Sequence, residues 1–352
     1  MKVYVFPADL HGCGYFRMIW PSNALRDTGH DVVVVDPKNR AGHLRATPDK
    51  DGKIIEVGYP PDADVIVLQR VTHSKLIEAI AVMRERGVAI VIDMDDDLAT
   101  IDPRNPAFRA MHPQHGYSPD HNWMNTQRAC EEATYVTVST PALLPRYAPH
   151  GRGQVLYNCV PESYLKVERQ DSNVVGWGGS VHSHPGDLQT MGPAIAQLIR
   201  EGVQFRVVGP AAGARIALGL DADPEATGAR DMLTEWPGAL AELGVGIAPL
   251  ADTRFNSAKS WLKPLEYSAL GVVPVMSPRA EYRRLHEWGG VGVLATKPRH
   301  WATRVRELVR DEGRRIELSI AGREFAAGQT IERNAHRWWS AWETAFRLQQ
   351  EF

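Results

Sequence analysis

Residues 255–277 read FNSAKSWLKPLEYSALGVVPVMS, and this stretch decides the fold of the chain. Its first part, residues 257–270, has the apolar spacing of a helix, and the run VVPVM at 272–276 is typical of a buried strand. Pro264 lies inside the helical part, so we expect a helix that is kinked or restarted there. A helix that leads directly into a buried strand is one repeating unit of a parallel α/β sheet.

The same alternation of short β-branched runs and longer helical segments continues on both sides of this stretch. The other predicted strands span residues 2–6, 31–36, 64–68, 89–92, 135–138, 154–156, 173–177, 204–208, 245–248 and 291–294. A polar stretch near residues 158–172 separates the two series of strands. We therefore predict two doubly wound Rossmann-like domains, at residues 1–160 and 161–330.

Composition and charge exclude several classes of protein. The chain has 352 residues, with 40 Lys plus Arg against 42 Asp plus Glu and a formal net charge of −2, so bulk positive charge does not indicate a nucleic-acid partner. Its three cysteines form no CxxC pair, which argues against a disulfide framework or a structural zinc site. No stretch approaches the roughly 18–20 apolar residues that cross a bilayer. We expect a cytoplasmic protein without a membrane span.

Four loops that follow predicted strands contain unusual residues, and such loops line the ligand cleft of doubly wound domains. The first is HGCGYFR, residues 11–17. Gly14 lets backbone N–H groups approach an anion, and Arg17 is suited to reach a phosphate or an acceptor. The alternative is a plain turn between a strand and a helix.

The second loop, residues 91–106, crowds the four carboxylates of Asp93, Asp95, Asp96 and Asp97 into five residues. Like charges at this density repel, so a cation, an arginine or proton uptake must compensate them. A carboxylate here is also suited to act as the general base for an acceptor hydroxyl, and we assign this catalytic role to Asp95 and Asp96. The alternatives are a metal site and a solvated turn.

The third loop, residues 176–188, reads GWGGSVHSHPGDL. Gly179 and Ser180 favour a backbone nest for an anion, and His184 is a candidate neutral partner. With no cysteine and no third ligand at suitable spacing beside His182 and His184, we do not expect zinc. The alternative is a glycine-rich loop without a ligand.

The fourth loop opens the helix of residues 257–270, with Ser257 as the expected N-cap. Lys259, Lys263 and Glu266 are spaced by four and three residues, which puts them on one helical face within ~60°. Two ammonium groups beside a helix N-terminus suit a diphosphate, and a carboxylate one turn further on suits ribose hydroxyls. Ser260 joins this expected donor-binding set. The alternative is an exposed Lys–Glu pair of little energetic weight.

A family resemblance lies in the same stretch. Residues 263–277 resemble the donor-binding helix and following strand of the GT-B-fold glycosyltransferases, in particular the large retaining family of glycogen synthase-like and sucrose synthase-like enzymes. Residues 12–35 are similar to the opening loop and first helix of that family, and residues 155–165 to its entry into the second domain. The GSVHSH–DL pattern, with the acidic DDD stretch, resembles a bacterial and phage subgroup.

The resemblance implies the GT-B fold, with two Rossmann-like domains that face each other across a cleft. Residues 331–352 have an aromatic stripe at helical spacing, formed by Trp338, Trp339, Trp342 and Phe346. In this fold such a segment is expected to be the helix that crosses back to the N-terminal domain. Residues 102–123, which include His115, Tyr117 and His121, are then expected to form a mobile acceptor lid.

For the donor site, the resemblance places Glu266 at the second glutamate of the E-x7-E motif, which binds the ribose of the sugar nucleotide. The first glutamate falls on Ala258, so this sequence departs from the motif there. The Arg and Lys that clamp the diphosphate in that family are also missing from residues 176–188. We therefore expect Lys259 and Lys263 to supply that charge, with Lys263 holding the leaving group as a catalytic residue.

The implied activity is that of a hexosyltransferase-like, retaining and metal-independent glycosyltransferase, which uses a nucleotide-diphosphate sugar as co-substrate and needs no cofactor. The acceptor is left open among a glycan, a protein side chain and a hydroxymethylated base of phage DNA. If the chain is phage-encoded, its location is the host cytoplasm. Two alternatives remain, a catalytically inactive nucleotide- or carbohydrate-binding module and a phosphohydrolase built on Asp93-x-Asp95.

Overall fold

The computed structural model describes residues 1–51, 54–112 and 122–351. The chain forms two compact units, and each draws on more than one stretch of sequence. Unit 1 consists of Met1–Thr100, Phe108–Asn158 and Ile331–Phe352, and unit 2 consists of Ile101–Ala107 and Cys159–Thr330. The short segment Ile101–Ala107 therefore belongs to unit 2, although the residues on either side of it belong to unit 1.

Unit 1 is built on a six-stranded parallel sheet in the order β2-β1-β5-β6-β7-β8. Its strands, together with an antiparallel hairpin of β3 and β4, are β1 (Lys2–Phe6), β2 (Asp31–Val34), β3 (Arg45–Pro48), β4 (Ile54–Gly58), β5 (Val65–Gln69), β6 (Ala89–Met94), β7 (Tyr135–Val138) and β8 (Gly153–Val155). The central strands β5 and β6 are buried along their whole length, as expected of continuous apolar runs that have helices on both faces.

Unit 2 is built on a second six-stranded parallel sheet in the order β11-β10-β9-β12-β13-β14. Its strands are β9 (Val175–Gly178), β10 (Phe205–Val208), β11 (Glu225–Ala226), β12 (Val245–Ala248), β13 (Val273–Met276) and β14 (Val293–Leu294). Trp177, Ile247 and Trp301 are among the buried side chains of its core. Because all of its strands are parallel, the loops after β9, β12 and β13 leave the same edge of the sheet.

The α-helices lie between these strands and after them. In chain order they are α1 (Gly12–Gly14), α2 (Trp20–Asp27), α3 (Arg40–His43), α4 (Ser74–Glu85), α5 (Phe108–Met111), α6 (Asn122–Glu132), α7 (Leu144–Tyr147), α8 (Glu162–Lys166), α9 (Ala194–Arg200), α10 (Ala214–Leu218), α11 (Trp236–Ala241), α12 (Arg254–Ser257), α13 (Leu262–Ala269), α14 (Ala280–Gly289), α15 (Pro298–Arg310), α16 (Glu312–Gly328), α17 (Ile331–Asn334) and α18 (His336–Gln350). None of these helices of the described chain is long and apolar enough to span a membrane.

The aromatic stripe of the C-terminal segment lies on α18, which is part of unit 1. Trp338 and Trp342 are completely buried. The indole Nε1 of Trp338 donates to the carbonyl of Arg17 at 2.8 Å, and the Gln349 side chain accepts from Thr134 Oγ1 at 2.8 Å. The buried face of α18 thus packs against the first helical segment and the sheet of unit 1.

The predicted fold class is confirmed, since two doubly wound parallel sheets form and every predicted strand has a counterpart. The differences are local. The β3–β4 hairpin and the two-residue strand β11 were not predicted. The predicted helix at 257–270 is two helices, because α12 ends at Ser257 and α13 begins at Leu262.

Candidate functional site

The break between α12 and α13 shapes the loop in which the donor site was predicted. Thr253, not Ser257, is the N-cap, because its Oγ1 accepts from the backbone N–H of Asn256 at 3.1 Å. Ser257 is the last residue of α12, so its predicted capping role is wrong. Lys259 and Ser260 lie between the two helices, while Lys263 is in the first turn of α13. The expected single helical face is therefore assembled from a loop and a helix start.

Lys263 is held at the carboxyl end of β9. Its Nζ donates to the carbonyl of Gly178 and lies 5.1 Å from the centre of the Trp177 ring. Burial lowers the pKa of Lys263 from 10.5 to about 8, and the charge of Lys259 lowers it further while Glu266 opposes both. With a pKa of about 8 the ammonium group is mostly charged at neutral pH, but it loses its proton more readily than an exposed lysine does.

Gly179 makes room for this lysine. Its backbone has a φ of 148°, and a β carbon there would lie 3.2 Å from Lys263 Nζ and 3.0 Å from the Trp177 ring. A side chain at this position would therefore strain the backbone and push against both neighbours. The glycine predicted to line the donor site is thus also required for the packing of the lysine.

Glu266, one turn beyond Lys263, is 8% exposed. Its Oε1 accepts hydrogen bonds from Trp236 Nε1 at 3.1 Å and from the Tyr164 hydroxyl at 3.5 Å. Burial raises the pKa of Glu266 from 4.5 to about 7, although Lys263, Trp236 and Tyr164 all act in the opposite direction. The carboxyl group is therefore oriented by two aromatic donors and is poised between its two protonation states at neutral pH.

A third polar cluster surrounds Asp187, which is 2% exposed. Its Oδ1 accepts from the backbone N–H of Ala251 at 2.8 Å and from Asn256 Nδ2 at 2.7 Å, and its Oδ2 lies 3.2 Å from His184 Nδ1. Since a carboxylate accepts hydrogen bonds, the imidazole proton is assigned to Nδ1. Burial lowers the pKa of His184, and Lys263 and Lys259 add to this effect, so the ring is neutral at pH 7.

These contacts bring most of the predicted donor-binding residues of unit 2 into one neighbourhood. The charges of Lys259 and Lys263 act on each other and on His184, and Lys263 touches Gly178 beside Gly179. Ser180 occupies the N-cap position of a short 3-10 turn in the same loop. The set lies at the edge where β9 and β12 end, which is where ligands of parallel α/β sheets bind.

The opening loop of unit 1 differs from its prediction. The expected anion at Gly14 is the protein's own Asp9, whose Oδ1 accepts from the backbone N–H of His11 at 2.8 Å and of Gly14 at 3.3 Å. A β carbon at Gly14 would lie 1.9 Å from the Asp9 carbonyl oxygen. Close packing thus explains the glycine, and Asp9 occupies the position at which an anion is predicted.

Arg17 is also not placed to bind a donor or an acceptor. It lies in the π-helical turn Tyr15–Ile19, and its side chain is 1% exposed. Its Nε and Nη2 donate to Asp93 at 3.1 and 2.6 Å, and its Nη1 donates to Asn158 Oδ1 at 3.0 Å and to the carbonyl of Leu156. Arg17 is predicted to reach a phosphate or an acceptor, but in this structure a carboxylate 76 residues away holds its guanidinium group.

Arginines also compensate the rest of the acidic cluster. Arg70, whose backbone has a φ of 52°, binds Asp95 through two nitrogens and Asp96 at 3.2 Å, while Arg146 lies 2.8 Å from Asp97. Of the three forms of compensation expected from the sequence, the arginine is the one observed. In the described part of the chain, no group of three or more His, Cys, Asp or Glu side chains is placed to hold a metal ion.

Part of the predicted lid, namely His115, Tyr117 and His121, lies outside the described residues.

Sequence reasoning also misses several residues that contact the predicted site residues. Each missed residue forms a hydrogen bond to a residue that is distant in sequence. These residues are Arg70, Tyr164, Asp187, Trp236 and Tyr267. The Tyr267 hydroxyl, for example, accepts from the backbone N–H of Gly178 at 2.8 Å. Only Asp187 had a local signal, since it follows His184 by three residues in the third loop.

The architecture has clear counterparts among solved structures, although no family model and no curated protein matches the sequence. HepE of Anabaena, in complex with UDP, is 15% identical, with a TM-score of 0.67 over 98% of this chain and 100% of its own. A glycosyltransferase from Rickettsia africae is 10% identical, with a TM-score of 0.67 over 98% and 99%. Sucrose-phosphate synthase from Thermosynechococcus elongatus is 12% identical, with a TM-score of 0.66 over 99% and 100%. With its two parallel α/β units, the chain therefore has the GT-B fold of these glycosyltransferases.

Proposed function

We propose that this protein is a glycosyltransferase that moves a sugar from a nucleoside diphosphate sugar to an acceptor hydroxyl, and that unit 2 binds the donor. The observation that carries the proposal is the pairing of Lys263 and Glu266 on one turn of α13, at the carboxyl end of β9, with both pKa values displaced toward neutrality. Perturbed groups of opposite charge at such an edge are typical of a ligand site.

In the proposed complex the diphosphate lies against Lys259, Lys263 and the backbone of Gly179 and Ser180. The ribose hydroxyls bind the Glu266 carboxylate, which the Trp236 and Tyr164 donors hold in place. The fold is that of HepE, whose complexes with UDP and with UDP-glucose make UDP the first nucleotide to test.

The proposed reaction breaks the bond between the anomeric carbon and the diphosphate oxygen, and the nucleoside diphosphate leaves with the bonding electrons. The acceptor oxygen forms the new bond and loses its proton. Lys259 and Lys263 stabilise the charge that develops on the leaving group, which requires them to be protonated when donor is bound. We propose that no divalent cation is needed and that the anomeric configuration is retained, as the family resemblance implies.

Asp95 and Asp96 remain the proposed catalytic carboxylates for the acceptor. Their pairing with Arg70 fixes the orientation of both side chains. The acceptor class, whether glycan, protein or hydroxymethylated DNA, is not narrowed by these contacts. Glycosylation of an acceptor is expected to fall in Asp95→Asn while UDP binding is unchanged.

The test is binding of UDP and hydrolysis of UDP-glucose by the purified protein without added metal. Lys263→Ala is expected to reduce turnover about 100-fold or more, the size of effect seen when one group that stabilises the transition state is removed, and Glu266→Ala is expected to weaken binding of the donor through its ribose. Matched controls are Lys166→Ala and Glu317→Ala, whose side chains are 71% and 68% exposed, and both should behave as wild type. Equal activity of all four variants would refute the assignment of the site.

A non-catalytic nucleotide-binding module is the second candidate, and one observation favours it. Ala258 stands at the position of the motif's first glutamate and is 4% exposed, so it brings no carboxylate to the transferred sugar. In that case UDP binds and its affinity falls in Glu266→Ala, but neither hydrolysis nor transfer occurs with any nucleotide sugar. The phosphohydrolase alternative is not favoured, because Asp93 and Asp95 are each bound by an arginine.

A further inference from the structure

The segment Ile101–Ala107 contacts the loop that follows β9. Asn105 Nδ2 donates to the carbonyl of Ser183 at 3.0 Å. The preceding residue, Arg104, lies close to Gly186 of this loop. A β carbon added to Gly186 would lie 3.3 Å from Arg104 Nη2 and 3.7 Å from the Ala251 β carbon. Gly186 has a φ of 89°, so the absence of a side chain allows the guanidinium group to approach the loop this closely.

This arrangement puts a permanent positive charge where the loop itself lacks one. Burial lowers the pKa of His184, although its hydrogen bond to Asp187 opposes this effect, and burial also lowers the pKa of Lys263 to about 8. A nucleoside diphosphate carries at least two negative charges, and a further cation beside Lys259 and Lys263 would compensate them more fully. A guanidinium group stays protonated throughout the physiological range and suits two phosphate oxygens at once.

Arg104 is also available to a ligand. Its side chain is 66% exposed, and its Nη2 and Nε bind the neighbouring Asp102 at 2.8 and 3.0 Å. An exposed ion pair of this kind has little net stability, because water and salt screen it. Exchanging the Asp102 carboxylate for a phosphate therefore costs little.

We propose that Arg104 is a further donor-binding residue, which contacts the β-phosphate of the nucleoside diphosphate from the segment Ile101–Ala107. The inference rests on the proposed function, because it assumes that the loop after β9 receives a diphosphate. It also explains how a chain without Arg or Lys in residues 176–188 supplies a fixed cation at this loop.

The experiment compares the dissociation constants of UDP and UMP by calorimetry at fixed ionic strength. Arg104→Ala is expected to weaken UDP about tenfold and UMP less than about twofold, since only UDP has the β-phosphate. Arg109→Ala removes an exposed arginine of α5 and should bind both nucleotides as wild type does. Asp102→Asn releases Arg104 from its partner, so UDP should bind as tightly as in wild type or more tightly.

Three outcomes would overturn the inference: unchanged UDP affinity in Arg104→Ala, an equal loss for UDP and UMP, or a loss in Asp102→Asn as large as in Arg104→Ala. The last two would mean that the pair only holds the segment in place. These results are separate from the proposed function, which fails if wild type binds no UDP or if Glu266→Ala and Lys263→Ala leave UDP binding intact. Failure of the proposed function would overturn this inference as well.

Discussion

Unit 1 buries Arg17 with Asp93, whereas unit 2 pairs the half-buried Lys263 with the buried Glu266, and the two environments differ. In unit 1 every nitrogen of the guanidinium group has an acceptor, and Asp93 also accepts from Thr137 Oγ1 at 2.7 Å. In unit 2 burial outweighs the attraction between the charges, so both pKa values move toward neutrality. Breaking a compensated pair leaves a buried charge and destabilises the fold, whereas an undercompensated pair gains from a ligand.

This contrast explains why two similar-looking sequence signals have different roles. Arg17 lies in a glycine-containing loop after β1 and Lys263 contacts one after β9, and both are predicted to bind the donor. Burial brings the pKa of Lys263 down to about 8, so the fold compensates this ammonium group only in part. Charge compensation by the rest of the fold, and not the residue type, separates the two.

The largest effect should be on the stability of unit 1. Arg17→Met leaves the Asp93 carboxylate buried without its cation, which is expected to cost about 3–5 kcal/mol of unfolding free energy. The measurement is urea denaturation followed by circular dichroism. Arg314→Met breaks the exposed pair with Glu317 and is the matched control, with an expected change close to zero.

A second variant keeps this prediction falsifiable. Replacing both partners, in Arg17→Met with Asp93→Leu, removes the uncompensated charge and should recover much of the lost stability. Equal stability of Arg17→Met and wild type would show that Arg17 does not compensate a buried charge on Asp93. The contrast between the two units would then not hold.

The next effect has the opposite sign and lies in unit 2. The pKa of Glu266 is raised in the folded state from 4.5 to about 7, so its protonated form favours folding. This contribution is fully present below pH 4.5 and is lost as the pH rises through 7. Glu266→Gln should not suffer the loss, so relative to wild type it gains about 3 kcal/mol of unfolding free energy between pH 4.5 and 8.

The measurement is the unfolding free energy of both proteins across that pH range. Glu317→Gln changes an exposed glutamate and should differ from wild type by the same amount at every pH. Parallel curves for Glu266→Gln and wild type would mean that the carboxyl group is not undercompensated. The distinction between the two units would then disappear.

The sequence predicted the fold well because the signals for it are local. Each strand of the two sheets is marked by its own β-branched run, and the end of the first helical segment is marked by Gly29, which has a φ of 89°. The β3–β4 hairpin escaped because β3 is short, partly exposed and ends in Pro48 beside a bulge. The two-residue strand β11 gives no periodic signal at all.

The site was predicted only where its residues are close in sequence. Lys259, Lys263 and Glu266 were found because helical spacing groups them, even though the helix is interrupted. The partners that determine their chemistry come from distant elements, since Trp236 is 30 residues and Tyr164 102 residues from Glu266. Burial and hydrogen bonding of this kind follow from tertiary packing, which periodicity does not encode.

The smallest expected effect tests how Glu266 is held. Trp236→Phe removes the indole N–H that donates to Oε1 but keeps an aromatic ring near Gly178, so we expect UDP to bind about tenfold more weakly. If the loss acts through the ribose, 2′-deoxy-UDP should show a much smaller difference between wild type and Trp236→Phe. This ligand lacks one of the hydroxyls that Glu266 binds, so neither protein can make the full contact. Trp288→Phe changes a tryptophan that is 61% exposed and should leave both affinities as in wild type. An equal loss of affinity for UDP and 2′-deoxy-UDP would instead mean that Trp236 acts through packing. The raised pKa of Glu266 would then have no connection with ribose binding.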